Sequence, residues 1–304
     1  MRVVYYGRGG GHGHLLRGVA ILKRLGHGVL VGPERLAGWA AACGVEFATE
    51  LGSPDLLLVD VFPRGVTAEL VPLLGRCPAW LIARRVLPDY YLHPPVREAL
   101  ETHYERLLWT EEPPPELASL RVVRQRIGPI LMGTTPLPRG EARAALGLSP
   151  TSRVLLALGS GESEGQALQQ RMLAKVAARL DATLVFVSDE LDGALRLFPA
   201  ASYFAAADAI VSAGGYHAFH EIAASGVPAV FLPQERPLDD QAWRVRDWPT
   251  ARVPEELEEL LRGLLARGPQ PGRTFEDGAL QVARLIERRV KEGVLPEEEV
   301  ATLA

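Results

Sequence analysis

Lysine is nearly missing from this chain. Only Lys23, Lys175 and Lys291 occur among 33 basic residues; the other 30 are arginines. The 37 acidic residues leave a formal net charge of −4, which excludes the basic footprint of a nucleic-acid partner. Cysteine is also scarce. Cys43 and Cys77 form neither a disulfide framework nor a zinc spacing, and a reduced compartment follows. No uncharged apolar run reaches the ~18 residues of a membrane span. The opening Met-Arg-Val-Val-Tyr-Tyr-Gly reads as a strand rather than a signal peptide, so a cytoplasmic protein is expected. There is no Gly-Lys pair, which excludes a P-loop. There is no Asp-x-Asp either, the usual carboxylate pair for a diphosphate-bound metal, so no metal or other cofactor is expected.

What is present is ordinary for a globular protein. Hydrophobic residues make up 47% and charged residues 23% of 304 residues. That length suits about two domains. The two halves open alike. Arg2-Val-Val-Tyr-Tyr-Gly7-Arg8-Gly9 starts the first, and Arg153-Val-Leu-Leu-Ala-Leu-Gly159-Ser160-Gly161 starts the second. An apolar strand, a glycine turn and a helix form the first unit of a doubly wound α/β domain. Further strands are expected at 28–31, 55–60 and 79–83, then at 154–158, 183–187, 209–211 and 229–232. Helices are expected at 14–25, 140–146, 164–180, 216–224 and 240–246, with two amphipathic ones near 254–266 and 275–290. Pro129, Pro136, Pro138 and Pro150, with Gly128, Gly133 and Gly140, mark the join. The expected domains are 1–130 and 131–304, the last helix being free to pack back on the first.

The first glycine loop reads Gly7-Arg8-Gly9-Gly10-Gly11-His12-Gly13-His14. It breaks the dinucleotide pattern, because histidine or leucine falls where the third glycine belongs. A histidine at a helix start has its pKa pushed down, and a neutral imidazole can deprotonate a hydroxyl. His14 and His12 both qualify; the alternative is a loop hydrogen bond. In the second half, Gly159, Ser160 and Gly161 form an anion cradle at a helix start. Gly214, Gly215 and Tyr216 form another after strand 209–211, and two such cradles suit a diphosphate. Glu162 and Glu164 must then point away. Glu221, one to two turns into the following helix, can accept two hydrogen bonds from a ribose diol, or be a solvated glutamate. Asp240-Gln241 opens a helix, where aspartate also serves as an N-cap.

These motifs resemble the two-domain GT-B glycosyltransferases. Gly13-His14-Leu-Leu-Arg17-Gly18 resembles the Gly-His loop of the peptidoglycan N-acetylglucosaminyltransferase that makes lipid II. It is also similar to the loop of the nucleotide-sugar hydrolase of pseudaminic acid synthesis. The stretch from Ala207 through Glu221 to Pro228 resembles the donor-binding signature. The resemblance implies two Rossmann-like domains facing a cleft, acceptor side first and donor side second. It implies His14 as catalytic base, Glu221 on the ribose of UDP, and Asp240 and Gln241 on the donor sugar. Gly11, His12, Gly13, Arg17, Arg64 and Arg84 would line the cleft on the acceptor side. Asp60-Val-Phe-Pro63-Arg64-Gly65 and Arg84-Arg85 also resemble features of a group of predicted glycosyltransferases.

The implied reaction is metal-independent transfer of a sugar, first N-acetylglucosamine, from a UDP-sugar to a hydroxyl acceptor. A nucleotide-sugar hydrolase or 2-epimerase on the same fold is the alternative. A serine hydrolase is another, since Gly161-Glu162-Ser163-Glu164-Gly165 fits Gly-x-Ser-x-Gly and Asp208 and His217 follow in order. A non-catalytic nucleotide-binding subunit is the last. A lipid-linked acceptor would add peripheral membrane contact. For that, Leu81, Ile82, Val86, Leu87, Tyr90, Tyr91 and Leu92 read either as a docking face or as a core strand and its loop.

Overall fold

A computed structural model describes residues 1–9, 12–160 and 163–292, without the side chains of Ser163 and Glu292. The chain forms two units. The first comprises 1–132 and, from Phe275 on, the C-terminal segment; the second comprises Gly133–Thr274.

The first unit is built on seven parallel strands: β1 (Val3–Tyr6), β2 (Val29–Val31), β3 (Glu46–Ala48), β4 (Leu56–Asp60), β5 (Ala79–Ala83), β6 (Tyr104–Trp109) and β7 (Val123–Arg126). Their order is β3-β2-β1-β4-β5-β6-β7. The central strands are continuous apolar runs because both faces are covered. Val3, Tyr5, Leu56 and Leu58 pack on one side with α1 (His12–Leu25), Ala40 of α2 (Ala37–Ala42) and α10 (Gly278–Glu292). Val4, Tyr6, Leu57 and Val59 pack on the other with Tyr91 of α3 (Pro88–Leu92), Leu100 of α4 (Pro94–His103) and Trp109. Leu81, Ile82, Val86 and Tyr91 are buried in this unit. Tyr90 and Leu92 are partly buried and Leu87 is 41% exposed, so most of the 81–92 stretch is a core strand and the loop after it. Among the described residues no helix is long and apolar enough to cross a membrane.

The second unit has four parallel strands: β8 (Arg153–Leu158), β9 (Ala182–Val187), β10 (Ala209–Ser212) and β11 (Ala229–Phe231). Their order is β11-β10-β8-β9. Helices α5 (Arg139–Ala145), α6 (Ser163–Arg179), α7 (Tyr216–Ser225), α8 (Gln241–Arg244) and α9 (Pro254–Arg267) complete it. Each sheet reverses direction of growth once. In the first unit this happens between β1 and β4. Doubly wound sheets bind ligands outside the carboxyl ends of their strands at such a switch point.

Candidate active site

The β1–α1 loop and the end of β4 meet at the switch point of the first unit. Tyr6 of β1 pairs in register with Val59 of β4, so Asp60 emerges beside the loop that leads into α1. His14 and Arg17 stand three residues apart on α1 and so share a face. Both turn onto Asp60. His14 Nδ1 lies 2.5 Å from Asp60 Oδ2. Arg17 donates from Nε to Oδ1 at 2.8 Å and from Nη2 to Oδ2 at 2.6 Å. Asp60 is wholly buried and Arg17 is 2% exposed.

The electrostatics follow from that geometry. Burial alone would raise the Asp60 pKa, but Arg17 and then His14 overcome it and hold the carboxyl well below its usual range. Asp60 is therefore an anion. His14 moves the other way: burial lowers its pKa, Asp60 opposes, and the Arg17 and Arg84 charges add to the lowering. The ring is neutral at pH 7. Its Nδ1–H is donated to the carboxylate, which leaves the lone pair on Nε2. This is the tautomer a general base needs, held by a carboxylate that is itself held by an arginine.

Two backbone features fix the ring. A Cβ on Gly9 would stand 2.6 Å from His14 Nε2 and closer still to Cδ2. Only glycine lets the loop lie flat against the imidazole. The Phe62 ring lies 5.2 Å from the His14 ring, centre to centre. Phe62 is placed by an unusual turn. Its N–H donates to the Asp60 carbonyl at 2.7 Å, and Val61 between them has φ +64°. A β-branched residue in that conformation is an outlier costing about 1–3 kcal/mol. The turn is over-determined by its surroundings: Val61 N–H donates to Ile82 O at 3.1 Å, and its carbonyl accepts from Tyr91 Oη at 3.2 Å. Phe62 in turn meets Tyr90 edge to face at 6.1 Å.

The remaining expected acceptor-side residues separate. Arg17 is a buried clamp on Asp60 rather than a surface that meets an acceptor. The His12 ring packs edge-on against Trp39 at 6.1 Å, with no role in the His14 cluster. Gly13 is the second residue of α1. Arg84 is close enough to lower the His14 pKa, and Arg64 acts likewise on Tyr90, whose pKa burial pushes up to about 12. Gly11 and Gly161 lie outside the described residues.

In the second unit the carboxyl ends of β8, β10 and β11 carry the expected donor residues. Gly159 N–H is taken by Val187 O at 2.8 Å, so it continues the sheet. Ser160 follows it and is tied to the loop after β11: its Oγ donates to Gln234 Oε1 at 3.3 Å, and its carbonyl accepts from Gln234 Nε2 at 3.2 Å. Gly214 has φ +80°, and a Cβ there would stand 2.5 Å from Val245 Cγ1. Gly215 caps α7, and Tyr216 begins it with a buried ring 4.7 Å from that of His220. Glu221 has no side-chain partner among the described residues. Burial pushes its pKa up to about 7. Asp240 is an N-cap, accepting from Trp243 N at 3.2 Å. Both ends of the Gln241 amide act within the loop: Oε1 accepts from Gln234 N at 3.0 Å, and Nε2 donates to Asp239 at 3.2 Å. Among the described residues no group of three or more His, Cys, Asp or Glu side chains is placed to hold a metal ion.

The serine-hydrolase triad does not assemble. Asp208 stands at the amino end of β10. There it accepts from Val154 N at 2.7 Å, Arg139 at 2.5 Å and Arg143 at 2.9 Å. Ser163 follows the carboxyl end of β8, about 13 Å of strand away at ~3.3 Å per residue.

No protein-family model matches the sequence, and no curated protein matches it. Solved structures do resemble the fold. The glycosyltransferase of kitacinnamycin superposes with a TM-score of 0.63 at 17% identity, over 95% of this chain and 98% of that one. The spinosyn rhamnosyltransferase SpnG in complex with spinosyn aglycone gives 0.62 at 17% identity, over 97% of each chain. The same enzyme with thymidine diphosphate gives 0.59 at 17% identity, over 96% of each. Likeness at this identity is one of fold and singles out no branch within it, neither the lipid II enzyme nor the pseudaminic acid hydrolase. The chain has the α/β fold of the GT-B glycosyltransferases.

Proposed function

We propose that this protein is a glycosyltransferase that moves a sugar from a nucleoside diphosphate donor to a hydroxyl acceptor. One observation carries the reading: a buried His14–Asp60 pair that leaves Nε2 as a neutral base, in a chain of the GT-B fold. In the reaction, the acceptor oxygen bonds to the sugar's anomeric carbon. The bond from that carbon to the diphosphate oxygen breaks, and its electron pair leaves on the diphosphate. The acceptor proton passes to His14 Nε2. Asp60 stabilises the imidazolium that forms, as a carboxylate does in the serine-protease triad.

The second unit binds the donor in this reading. Ser160 and the start of α7 hold the diphosphate, and Glu221 holds the ribose. Asp240 and Gln241 shape the loop beside the donor sugar. The acceptor is a hydroxyl compound; SpnG, a similar fold, is solved with an aglycone. UDP-N-acetylglucosamine is the first donor to assay. Thymidine diphosphate donors come next, since SpnG is solved with that nucleotide. Release of nucleoside diphosphate with transfer of the sugar, unaffected by excess EDTA, is the expected result. Free sugar as the sole product would favour the hydrolase alternative. Loss with EDTA and recovery with magnesium would remove metal independence.

Glu221 gives a test that needs no acceptor. A carboxyl group accepts both hydrogen bonds of a diol at full strength only when ionised, and those bonds favour the ionised form. Free Glu221 titrates near 7, and bound Glu221 should titrate lower. Nucleotide binding below pH 7 should then release up to one proton. Affinity should fall as pH drops below 7, approaching tenfold per unit. Calorimetry of UDP binding in buffers of different ionisation enthalpy reads both. Glu221→Gln should abolish the proton release and weaken binding about 10-fold. Glu221→Ala should erase any preference for UDP over 2′-deoxy-UDP, while Glu221→Gln, which keeps one acceptor oxygen, should lose less of it. A variant with wild-type proton release and discrimination would take Glu221 out of the donor site.

A further inference from the structure

Arg236 lies in the loop after β11, a stretch of proline and acidic residues. Its Nη2 donates to Ser160 Oγ at 3.2 Å and to Gln234 Oε1 at 2.6 Å. Ser160 follows β8, and Gln234 follows β11. In the sheet order, β10 lies between those strands. The guanidinium therefore joins the loops that follow β8 and β11, the two strands flanking β10, which leads through Gly214 and Gly215 into α7. Five N–H donors are available to an arginine, and the described contacts use only those of Nη2.

Its charge is also unbalanced, in contrast to the other arginine of this corner. Arg244 is buried, pairs with Asp239 at 2.9 Å and donates to Gly214 O at 3.1 Å. Asp239 is thus committed to Arg244. Among the described residues Arg236 has no carboxylate partner. The arrangement is a part-buried cation, fixed by Ser160 and Gln234, with Nε and Nη1 left to an incoming acceptor group.

We infer that Arg236 binds the diphosphate of the donor and takes up the negative charge that develops on it when the sugar leaves. The inference rests on the donor reading above and adds the group that meets the anion. In the metal-independent reaction proposed above, leaving-group charge is met by protein donors, and a guanidinium fixed in advance does this without reorganisation. Arginine also suits phosphate oxygens through paired N–H donors.

The test compares wild type, Arg236→Gln and Arg236→Lys in binding UDP, UMP and uridine, by calorimetry and by NMR titration for the weak nucleoside. Glutamine can still donate to Ser160 but carries no charge. Arg236→Gln should bind UDP at least ~10-fold more weakly, with uridine affinity unchanged and UMP between. Arg236→Lys should recover part of the UDP affinity, and the salt dependence of UDP binding should be smaller in the glutamine variant than in wild type. Equal loss for UDP and uridine would make Arg236 a loop clamp only and overturn the inference, as would unchanged UDP binding. Wild type that binds neither UDP nor thymidine diphosphate would instead overturn the donor reading itself. Thermal unfolding of each variant checks the fold, and Arg236→Lys carries the comparison if the glutamine variant is unstable.

Discussion

Replacing Asp60 with asparagine is expected to lower the transfer rate by about 10³- to 10⁴-fold, the scale seen when the orienting carboxylate of a catalytic triad is lost. The shape is kept, but the hydrogen-bond polarity is not. Asp60 now accepts from His14 Nδ1 and twice from Arg17. Asparagine has one acceptor oxygen, and the Arg17 fork competes for it. If its NH2 turns to His14, the ring must put its proton on Nε2, and the base is blocked. Stability should fall as well. Arg17 is buried at 2% exposure, and removing its counter-charge leaves an uncompensated buried cation, a change worth about 3–5 kcal/mol. The pH dependence has a definite sign. The Asp60 pKa is depressed in the folded chain, so its contribution is complete above the unfolded carboxylate value of ~3.9. It fades as pH falls toward the depressed value. Denaturation of both proteins between pH 7 and pH 3 should show a gap that narrows with acid. A variant as stable and as fast as wild type would dissolve the assigned site.

The two halves of this site were unequally legible in the sequence. The helix start with His14 announces itself, because a glycine run ahead of an imidazole is uncommon and has a local physical meaning. Asp60 does not. It reads as the polar end of an apolar strand, in a segment whose resemblance assigns it no role, and its partners lie 46 and 43 residues away in the chain. Parallel strands bring such residues together through crossovers that no local pattern encodes. Val61 is harder still, since a β-branched residue with positive φ contradicts its own preference. Arg236 sits in a loop of prolines and acids, and its ties to Ser160 and Gln234 are visible only in the fold.

The same physics separates the strands. β1, β4, β5, β8 and β10 are buried on both faces and read as continuous apolar runs. β3 and β7 are the edges of their sheet and read Glu-Phe-Ala and Val-Arg-Gln-Arg, with side chains partly buried or exposed and none wholly buried. Nothing in such short polar segments distinguishes a strand from a loop. The division of the chain is similar. The prolines and glycines near 130 mark one crossing between units. The return at Phe275 depends on α10 packing against α1, where Val282 and Ile286 join the core of Val19 and Leu22.

Removing the His14 ring is the companion test, and its expected signature differs from that of Asp60. His14→Ala should lower the rate by about 10²-fold or more, the range for losing a general base. Stability should change less than in Asp60→Asn, because the Arg17–Asp60 pair stays intact and buried. Nucleotide affinity should be unchanged, since the proposed donor groups lie in the second unit. The space vacated by the ring should then admit free imidazole, and added imidazole should restore part of the rate. Wild type should keep its maximal rate into mildly acid solution, because burial holds the His14 pKa below its usual value and the ring stays unprotonated there. Gly9→Ala separates position from chemistry. The new Cβ would stand 2.6 Å from Nε2, so the ring must swing away with its base intact. A fall in rate in Gly9→Ala, without imidazole rescue, would mean that placement of Nε2 matters as much as its presence. His12→Ala should be close to wild type, since that ring packs against Trp39. If His12→Ala is inactive while His14→Ala turns over normally, the base is not the histidine that Asp60 holds.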